Sequence, residues 1–156
     1  MTTFERLTAD LTTSMKARTA FRTNTVRQMI AAVRVAEKSG TAAHELTEEQ
    51  VQAVLAGEVK KRRESAQIYT GAGATERAET ETAEADLIEA YLPAALSPEQ
   101  LDAIVAAAIA STGATTVKDM GTVMKAANLA AASVGRVDGK ALSGAVRQAL
   151  SGGSAA

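Results

Sequence analysis

The chain has 156 residues, of which 46% are apolar, and a net charge of −1. That length can form one domain or two small ones, and the near-neutral charge excludes a surface that is basic throughout. The absence of cysteine excludes disulfides, thiolate metal sites and cysteine nucleophiles, and a single histidine, His44, leaves little imidazole chemistry. No apolar run approaches the roughly 20 residues of a membrane span, and no signal-peptide core is present, so we expect a cytoplasmic protein without a membrane segment.

Helical periodicity predicts four helices in the first part of the chain, at about 3–17, 19–38, 47–71 and 75–92. Phe4, Leu7, Leu11 and Met15 form the apolar stripe of the first helix. The third helix has a capping box as its start signal, in which a Thr is followed three residues later by a Gln. No alternating run of β-branched residues indicates a strand.

The only two prolines, Pro93 and Pro98, mark a predicted domain boundary. Ser97 and Gln100 form a second capping box around Pro98, which suits the first position of a helix ending near Gly113. Two more helices are predicted at about 116–132 and 138–150. The sequence therefore predicts an all-α protein with a helical N-terminal domain of about four helices (1–95), a compact three-helix C-terminal domain (96–151) and a disordered tail (152–156).

Five segments resemble, in their order and spacing, the GatB/YqeY-like family. They are VRQMIAAVR at 26–34, EVKKRRESAQIY at 58–69, EAYLPAALSPEQL at 89–101, KDMGTVM at 118–124 and GRVDGKAL at 135–142. The resemblance implies a helical N-terminal half joined to a domain similar to the tail of the B subunit of the tRNA-dependent Asp/Glu amidotransferase. In that enzyme the tail is implied to hold the body of the tRNA, whereas ammonia production and phosphate chemistry belong to other domains.

The catalytic part of the amidotransferase has no counterpart in this sequence. Our leading hypothesis is therefore a tRNA- or partner-binding accessory protein without its own catalytic centre, acting on tRNA or a tRNA-modifying assembly. One alternative is a glutamine-dependent carbon–nitrogen ligase, and another is a protein–protein adaptor with an apolar patch around Tyr91, Leu92 and Leu96. No phosphate-binding loop or metal-ligand motif is present, so we expect neither a cofactor nor a metal.

The C-terminal half offers three candidate RNA contacts. Lys118 and Lys125 share the predicted helix side opposite Met120 and Met124. If the tail holds RNA as the resemblance implies, these lysines and Arg136 are the leading candidates. The competing interpretation is that both lysines are simply solvated.

A second candidate stripe, Arg27, Arg34 and Lys38, lies along one flank of the second predicted helix. Spacings of seven and four residues stack these cations beside the apolar face, where they could follow a phosphate backbone. The competing interpretation is the ordinary polar border of an amphipathic helix.

The most basic run is KKRR at 60–63, and Lys60 and Arg63 are further RNA-binding candidates. Successive helical residues are about 100° apart, so the run cannot form one basic face. Arg62 falls on the apolar stripe one turn after Glu58, which predicts a structural, partly buried ion pair.

Three glycines and one aspartate in the C-terminal half are predicted to be structural. Gly121 lies inside a predicted helix, where a tight helix crossing would justify its cost of about 1 kcal/mol. Gly135 and Gly139 bracket a turn, and Asp138 suits the N-cap of the last helix.

Overall fold

The computed structural model describes residues 1–40 and 42–152. Within these residues the chain forms seven α-helices and one 3₁₀ turn, with no strand, which confirms the all-α prediction. The helices are α1 (Thr3–Lys16), α2 (Ala20–Lys38), α3 (Glu48–Gly71), α4 (Thr75–Glu89), α5 (Pro98–Thr112), α6 (Met120–Ala131) and α7 (Gly139–Gly152). The 3₁₀ turn, Val117–Asp119, leads directly into α6.

Capping boxes begin three of the helices. Thr2 caps α1 with Glu5, Thr47 caps α3 with Gln50, and Ser97 caps α5 with Gln100. In each box the cap hydroxyl accepts a hydrogen bond from the amide of the third helical residue, and the side chain of that residue accepts one from the amide of the cap residue. α5 ends at Gly113, whose φ of 67° lies in the left-handed region that glycine adopts cheaply.

The chain divides into two compact units between Leu92 and Pro93. In the N-terminal unit, α1 to α4 surround a core of Leu7, Val26, Met29, Val33, Val51, Leu55, Val59, Ala85, Ile88, Tyr91 and Leu92. The helical spacing predicted that Met15 packs into this core, but its side chain is 51% exposed. Ser14 faces inward instead and accepts a hydrogen bond from the Thr23 hydroxyl at 3.0 Å.

In the C-terminal unit, α5, α6 and α7 pack around Ile104, Val105, Ala108, Val123, Ala127, Ala131, Leu142, Val146 and Leu150. A single parallel bridge joins the segment before α5 to the segment before α7. The Arg136 amide donates to the Ala94 carbonyl at 3.0 Å, and the Leu96 amide donates to the Arg136 carbonyl at 2.9 Å. Gly135 lies against this bridge, and a Cβ there would be 2.8 Å from the Ala94 carbonyl oxygen.

Three sequence predictions for the C-terminal unit differ from the structure. The predicted helix over 116–132 begins as the 3₁₀ turn, so Gly121 is an exposed residue in the first turn of α6. A Cβ on Gly121 would meet no heavy atom within 4 Å, so the tight helix crossing predicted there is wrong. Gly152, assigned to the tail, is the last residue of α7; the remaining tail positions, 153–156, lie outside the described residues.

Across the described ranges, no single helix combines the length and apolarity needed to cross a membrane. α5 and the segment Val117–Ala131 pass that test only as a pair, and the pair is bent by 96°.

Candidate nucleic-acid interface

Four exposed cations lie outside α5 in the C-terminal unit: Lys118, Lys125, Lys140 and Arg147. Within the described residues none of their side chains forms an ion pair or a hydrogen bond. Lys125 is on the side of α6 away from the buried Val123, and Lys140 and Arg147, two turns apart on α7, stack along its exposed side. Lys118 lies in the 3₁₀ turn rather than in α6, so helical spacing alone does not align it with Lys125.

The same unit has four acidic residues, and two of them are occupied by backbone amides. Asp119 accepts from the amides of Thr115 and Thr116 at 3.0 and 3.1 Å, and these bonds lower its pKa. Asp138 caps α7 by accepting the Ala141 amide at 3.0 Å, in line with its predicted capping role.

The other two acids of the unit, Glu99 and Asp102, both lie in the first turns of α5. The carboxylates without a backbone partner are therefore confined to α5, whereas the exposed cations lie on the 3₁₀ turn, α6 and α7. Sequence reasoning missed Lys140 and Arg147, although their seven-residue spacing opposite the apolar stripe of α7 was a readable signal.

Arg136, the third candidate of this unit, is half-buried beside the parallel bridge. Its main chain is held by Ala94 and Leu96 through the two bridge hydrogen bonds. The structure thus places Arg136 at the base of α7, whereas Lys140 and Arg147 are carried on α7 itself.

The cations of the predicted α2 stripe differ in availability. Arg34 pairs with Glu37 at 2.8 Å, and its guanidinium carbon lies 4.7 Å from the centre of the Phe4 ring. Arg27 is exposed, and one guanidinium nitrogen lies 3.7 Å from the Met15 sulfur. Lys38 is exposed and has no ion pair among the described residues. Arg27 and Lys38, at the two ends of the stripe, are therefore the cations that no described carboxylate pairs with.

The basic run at 60–63 contains a buried arginine. Arg62 is 8% exposed and donates to Glu58 at 2.7 Å, to Glu84 at 2.8 Å and to Gln28 at 2.5 Å. Burial alone would lower the pKa of Arg62, but the two carboxylates outweigh it and raise the pKa. This cluster ties α3 to α2 and α4.

The neighbours of Arg62 do not add up to a basic surface. Arg63 pairs with Asp86 at 2.6 Å and Glu89 at 2.8 Å, and Lys61 pairs with Glu58 at 2.8 Å. Of the four consecutive cations, Lys60 alone is without an ion pair in the described part of the chain. Two cations of the run, Arg62 and Arg63, therefore link α3 to α4.

A cavity of about 250 Å³ in the N-terminal unit contains several ionisable side chains. It is lined by Thr2, Phe4, Arg34, Glu37, Glu45, Leu46, Glu48 and Val51. Glu48 accepts the Thr3 hydroxyl at 2.5 Å and the Gln52 amide at 2.9 Å, and these bonds, the Thr3 hydroxyl first, lower its pKa. General acid catalysis needs a raised carboxyl pKa, so Glu48 is unsuited to act as a general acid. The described residues contain no group of three metal-ligating side chains.

The apolar patch suggested for an adaptor is not on the surface. Tyr91 and Leu92 are 3% and 8% exposed and belong to the core of the N-terminal unit. Leu96 packs against the core of the C-terminal unit. Tyr91 and Leu92 are therefore interior residues, and Leu96 is half-buried.

Comparison with known proteins assigns a family. The family model described as Yqey-like protein matches residues 4–150, from the first turn of α1 to the last turn of α7. The match covers the helices of both units and agrees with the resemblance seen in the sequence segments. No curated protein matches the sequence.

Proposed function

The chain belongs to the YqeY-like protein family, and we propose on that basis that it is an RNA-binding accessory protein related to the tRNA-dependent amidotransferase. Its ligand is tRNA, free or within a tRNA-modifying assembly. Its role is to hold RNA rather than to make or break bonds. The observation that carries the proposal is the separation of charge in the C-terminal unit.

Charge separation by helix suits phosphate binding in a chain whose net charge is −1. RNA affinity depends on local cations rather than on net charge, because a Lys or Arg side chain releases counterions only where it contacts a phosphate of the RNA. Lys118, Lys125, Lys140 and Arg147 form such a set, hereafter the α6–α7 cations, since no described carboxylate neutralises them. Arg136 is a further candidate at the base of α7, and Arg27 and Lys38 are candidates in the N-terminal unit.

The ligase alternative lacks a comparable supporting observation. Its best location is the 250 Å³ cavity of the N-terminal unit. There Glu48 is stabilised in its ionised form by Thr3, and Glu37 is paired with Arg34. A nucleophile activated by an adjacent base, which amide transfer from glutamine needs, is not among the side chains lining that cavity.

A binding titration tests the proposal. Fluorescently labelled tRNA is titrated with the full chain at low salt, and the anisotropy gives the Kd. We expect Lys125→Gln to weaken binding severalfold and Lys118→Gln with Lys125→Gln to weaken it further. Arg77→Gln is the matched control, because Arg77 is also exposed and helical but shares α4 with six acidic residues. It should bind like the parent chain.

The same preparation distinguishes the alternatives. If tRNA does not bind at low salt, or if Lys125→Gln and Arg77→Gln behave alike, the RNA proposal is wrong. If the chain releases glutamate from glutamine in the presence of ATP and misacylated tRNA, the ligase alternative replaces it.

A further inference from the structure

The segment from Leu11 to Ala36 (11–36) is the longest stretch of the chain that contains basic but no acidic residues. Between Asp10 and Glu37 there is no acidic residue but five basic ones: Lys16, Arg18, Arg22, Arg27 and Arg34. The segment covers the end of α1, the turn and nearly all of α2. Outside this segment, the cations of the basic run at 60–63 are mostly paired with carboxylates.

Two of these five cations are used inside the fold. Arg22 donates to Asp10 at 2.8 Å, and Arg34 pairs with Glu37 at the same distance. Lys16, Arg18 and Arg27 are exposed, and none has an ion pair within the described residues. They lie at the turn between α1 and α2 and in the adjoining helical turns, so an uncompensated positive charge gathers at this end of the helix pair.

Exposed apolar side chains accompany this charge. Phe21, in the first turn of α2, is 45% exposed, and Met15, in the last turn of α1, is 51% exposed. Phe21 is the one aromatic residue that the structure shows as exposed; Tyr91 is buried, and Phe4 and Tyr69 are half-buried. A phenyl ring open to solvent beside cations can stack on a nucleobase whose phosphates those cations hold.

Arg18 occupies an unfavourable backbone conformation. Its φ is 56°, in the left-handed region, and it is the one non-glycine residue in the described chain with a positive φ. Glycine or asparagine would adopt this conformation at lower cost. The turn therefore carries a long cationic side chain at a position where the backbone alone favours glycine, which points to a use for the side chain.

We propose that the α1–α2 turn, comprising Lys16, Arg18, Phe21 and Arg27, is a second RNA contact that takes unpaired nucleotides. The cations hold phosphates and Phe21 stacks on a base, whose face is accessible only when the base is unpaired. The RNA class rests on the proposed function, whereas the location rests on the charge, exposure and backbone observations above. The C-terminal unit has no aromatic residue, so its α6–α7 cations bind phosphates without stacking.

The α1–α2 turn is better suited to binding single-stranded RNA than to binding an anionic membrane surface. A membrane surface requires a broad apolar face along an amphipathic helix, but the exposed apolar residues here are two side chains on either side of a turn. Arginine guanidinium groups, of which the turn presents two, also match phosphate in a forked geometry.

The test uses the full chain and two probes, an oligouridylate of about 12 nucleotides and labelled tRNA. Phe21→Leu keeps an apolar side chain but removes the ring, and we expect about tenfold weaker oligouridylate binding. Arg18→Gly removes one phosphate contact and relieves the backbone. It should weaken oligouridylate binding severalfold, lower the salt slope by about 0.7, and raise the melting temperature. Arg77→Gln again serves as the control.

Each outcome has a defined meaning. Wild-type oligouridylate affinity in both turn variants, or equal loss in Arg77→Gln, overturns this inference. Binding of tRNA without measurable oligouridylate binding also overturns it while leaving the proposed function in place. Failure of both RNAs to bind at low salt removes both proposals, and Arg18-dependent binding to anionic phosphatidylserine vesicles in that case would assign the turn to a membrane surface.

Discussion

Gly135 shows how a single residue determines the join between two segments of the C-terminal unit. Its Cα faces the Ala94 carbonyl oxygen, which would lie 2.8 Å from an added Cβ, with Leu96 Cδ2 at 3.3 Å. Real Cβ atoms do not approach a carbonyl that closely, so a side chain here must push the two bridged segments apart. The bridge hydrogen bonds between Arg136 and its partners at 94 and 96 would then lengthen.

We predict that Gly135→Ala lowers the free energy of unfolding by about 2 kcal/mol. Gly144→Ala is the matched control, because Gly144 lies within α7 and its added Cβ would meet nothing within 4 Å. That control should raise the free energy by up to about 1 kcal/mol through helix propensity. Urea unfolding of both variants measures the difference, and equal effects of the two substitutions would show that the bridge imposes no steric constraint.

Tyr91 and Asp10 form a coupled pair that makes stability depend on pH. The Tyr91 hydroxyl donates to Asp10, which also accepts from Arg22 at 2.8 Å. The Tyr91 bond, foremost, lowers the pKa of Asp10, whereas burial and the same bond raise the pKa of Tyr91 to about 12. The interaction therefore needs an ionised Asp10 and a protonated Tyr91.

We predict that Tyr91→Phe costs about 1 kcal/mol near neutral pH. The folded pKa of Asp10 is lowered, so its contribution is present above the ordinary value of 3.8 and is lost as the pH falls through the folded pKa. The folded pKa of Tyr91 is raised, so its contribution is lost as the pH rises from 10 to about 12. The stability difference between parent and variant should shrink in both directions. A difference that stays constant from pH 7 to pH 3 contradicts this coupling.

At the scale of elements, Arg62 joins α3 to α2 and α4. Its side chain is 10% exposed, and those of its partners Glu58 and Glu84 are 16% and 18% exposed. Burial alone would raise the pKa of Glu58, but hydrogen bonds from Lys61 and Arg62 outweigh it and lower the pKa. Removal of the arginine would leave partly buried negative charges without their main partner, which costs more than loss of the pair as a whole.

We therefore predict that Arg62→Met lowers the free energy of unfolding by about 3 kcal/mol. Adding Glu58→Gln and Glu84→Gln should restore most of that loss, since the two carboxylates that lost Arg62 as a partner are then replaced by neutral amides. Chemical denaturation of the single and triple variants provides the measurement. If Arg62→Met costs no more than the exposed Arg77→Gln, the cluster is not a structural link.

The starts of the helices and their order along the chain could be predicted from the sequence, because the residues that determine them are close together in the sequence. Thr47 and Ser97 reach amides only three residues away, and Glu58 and Arg62 lie one helical turn apart. Pairings across elements could not be predicted in this way. The carboxylates that pair with Arg63 lie on α4, more than 20 residues further along the chain. The basic run alone therefore did not indicate that Arg63 is already paired.

The candidate interface shows the same limit. Spacing on one helix suggested Lys118 and Lys125, but whether a carboxylate of another helix pairs with these lysines depends on how the three helices pack. It also depends on two aspartates whose carboxylates are occupied by backbone amides. The 3₁₀ turn before α6 was equally unpredictable, because Val117–Asp119 fits either helix type by composition.

At the scale of the whole molecule, a net charge of −1 conceals two different uses of charge. In the N-terminal unit, the ion pairs of Arg22, Arg62 and Arg63 join different helices. In the C-terminal unit the α6–α7 cations have no such partners among the described residues. The first arrangement stabilises a fold, and the second is available to a polyanion.

The salt dependence of tRNA binding tests this account most directly. Each phosphate contact contributes roughly 0.7 to 0.9 to the slope of log affinity against log salt concentration. The parent chain should therefore show a steep negative slope. Neutralising Lys118, Lys125, Lys140 and Arg147 together with Gln should reduce that slope by about 3, whereas Arg77→Gln should leave it unchanged. A slope that is the same in the parent and the fourfold variant, or affinity too weak to measure at low salt, would contradict the claim that these cations hold RNA.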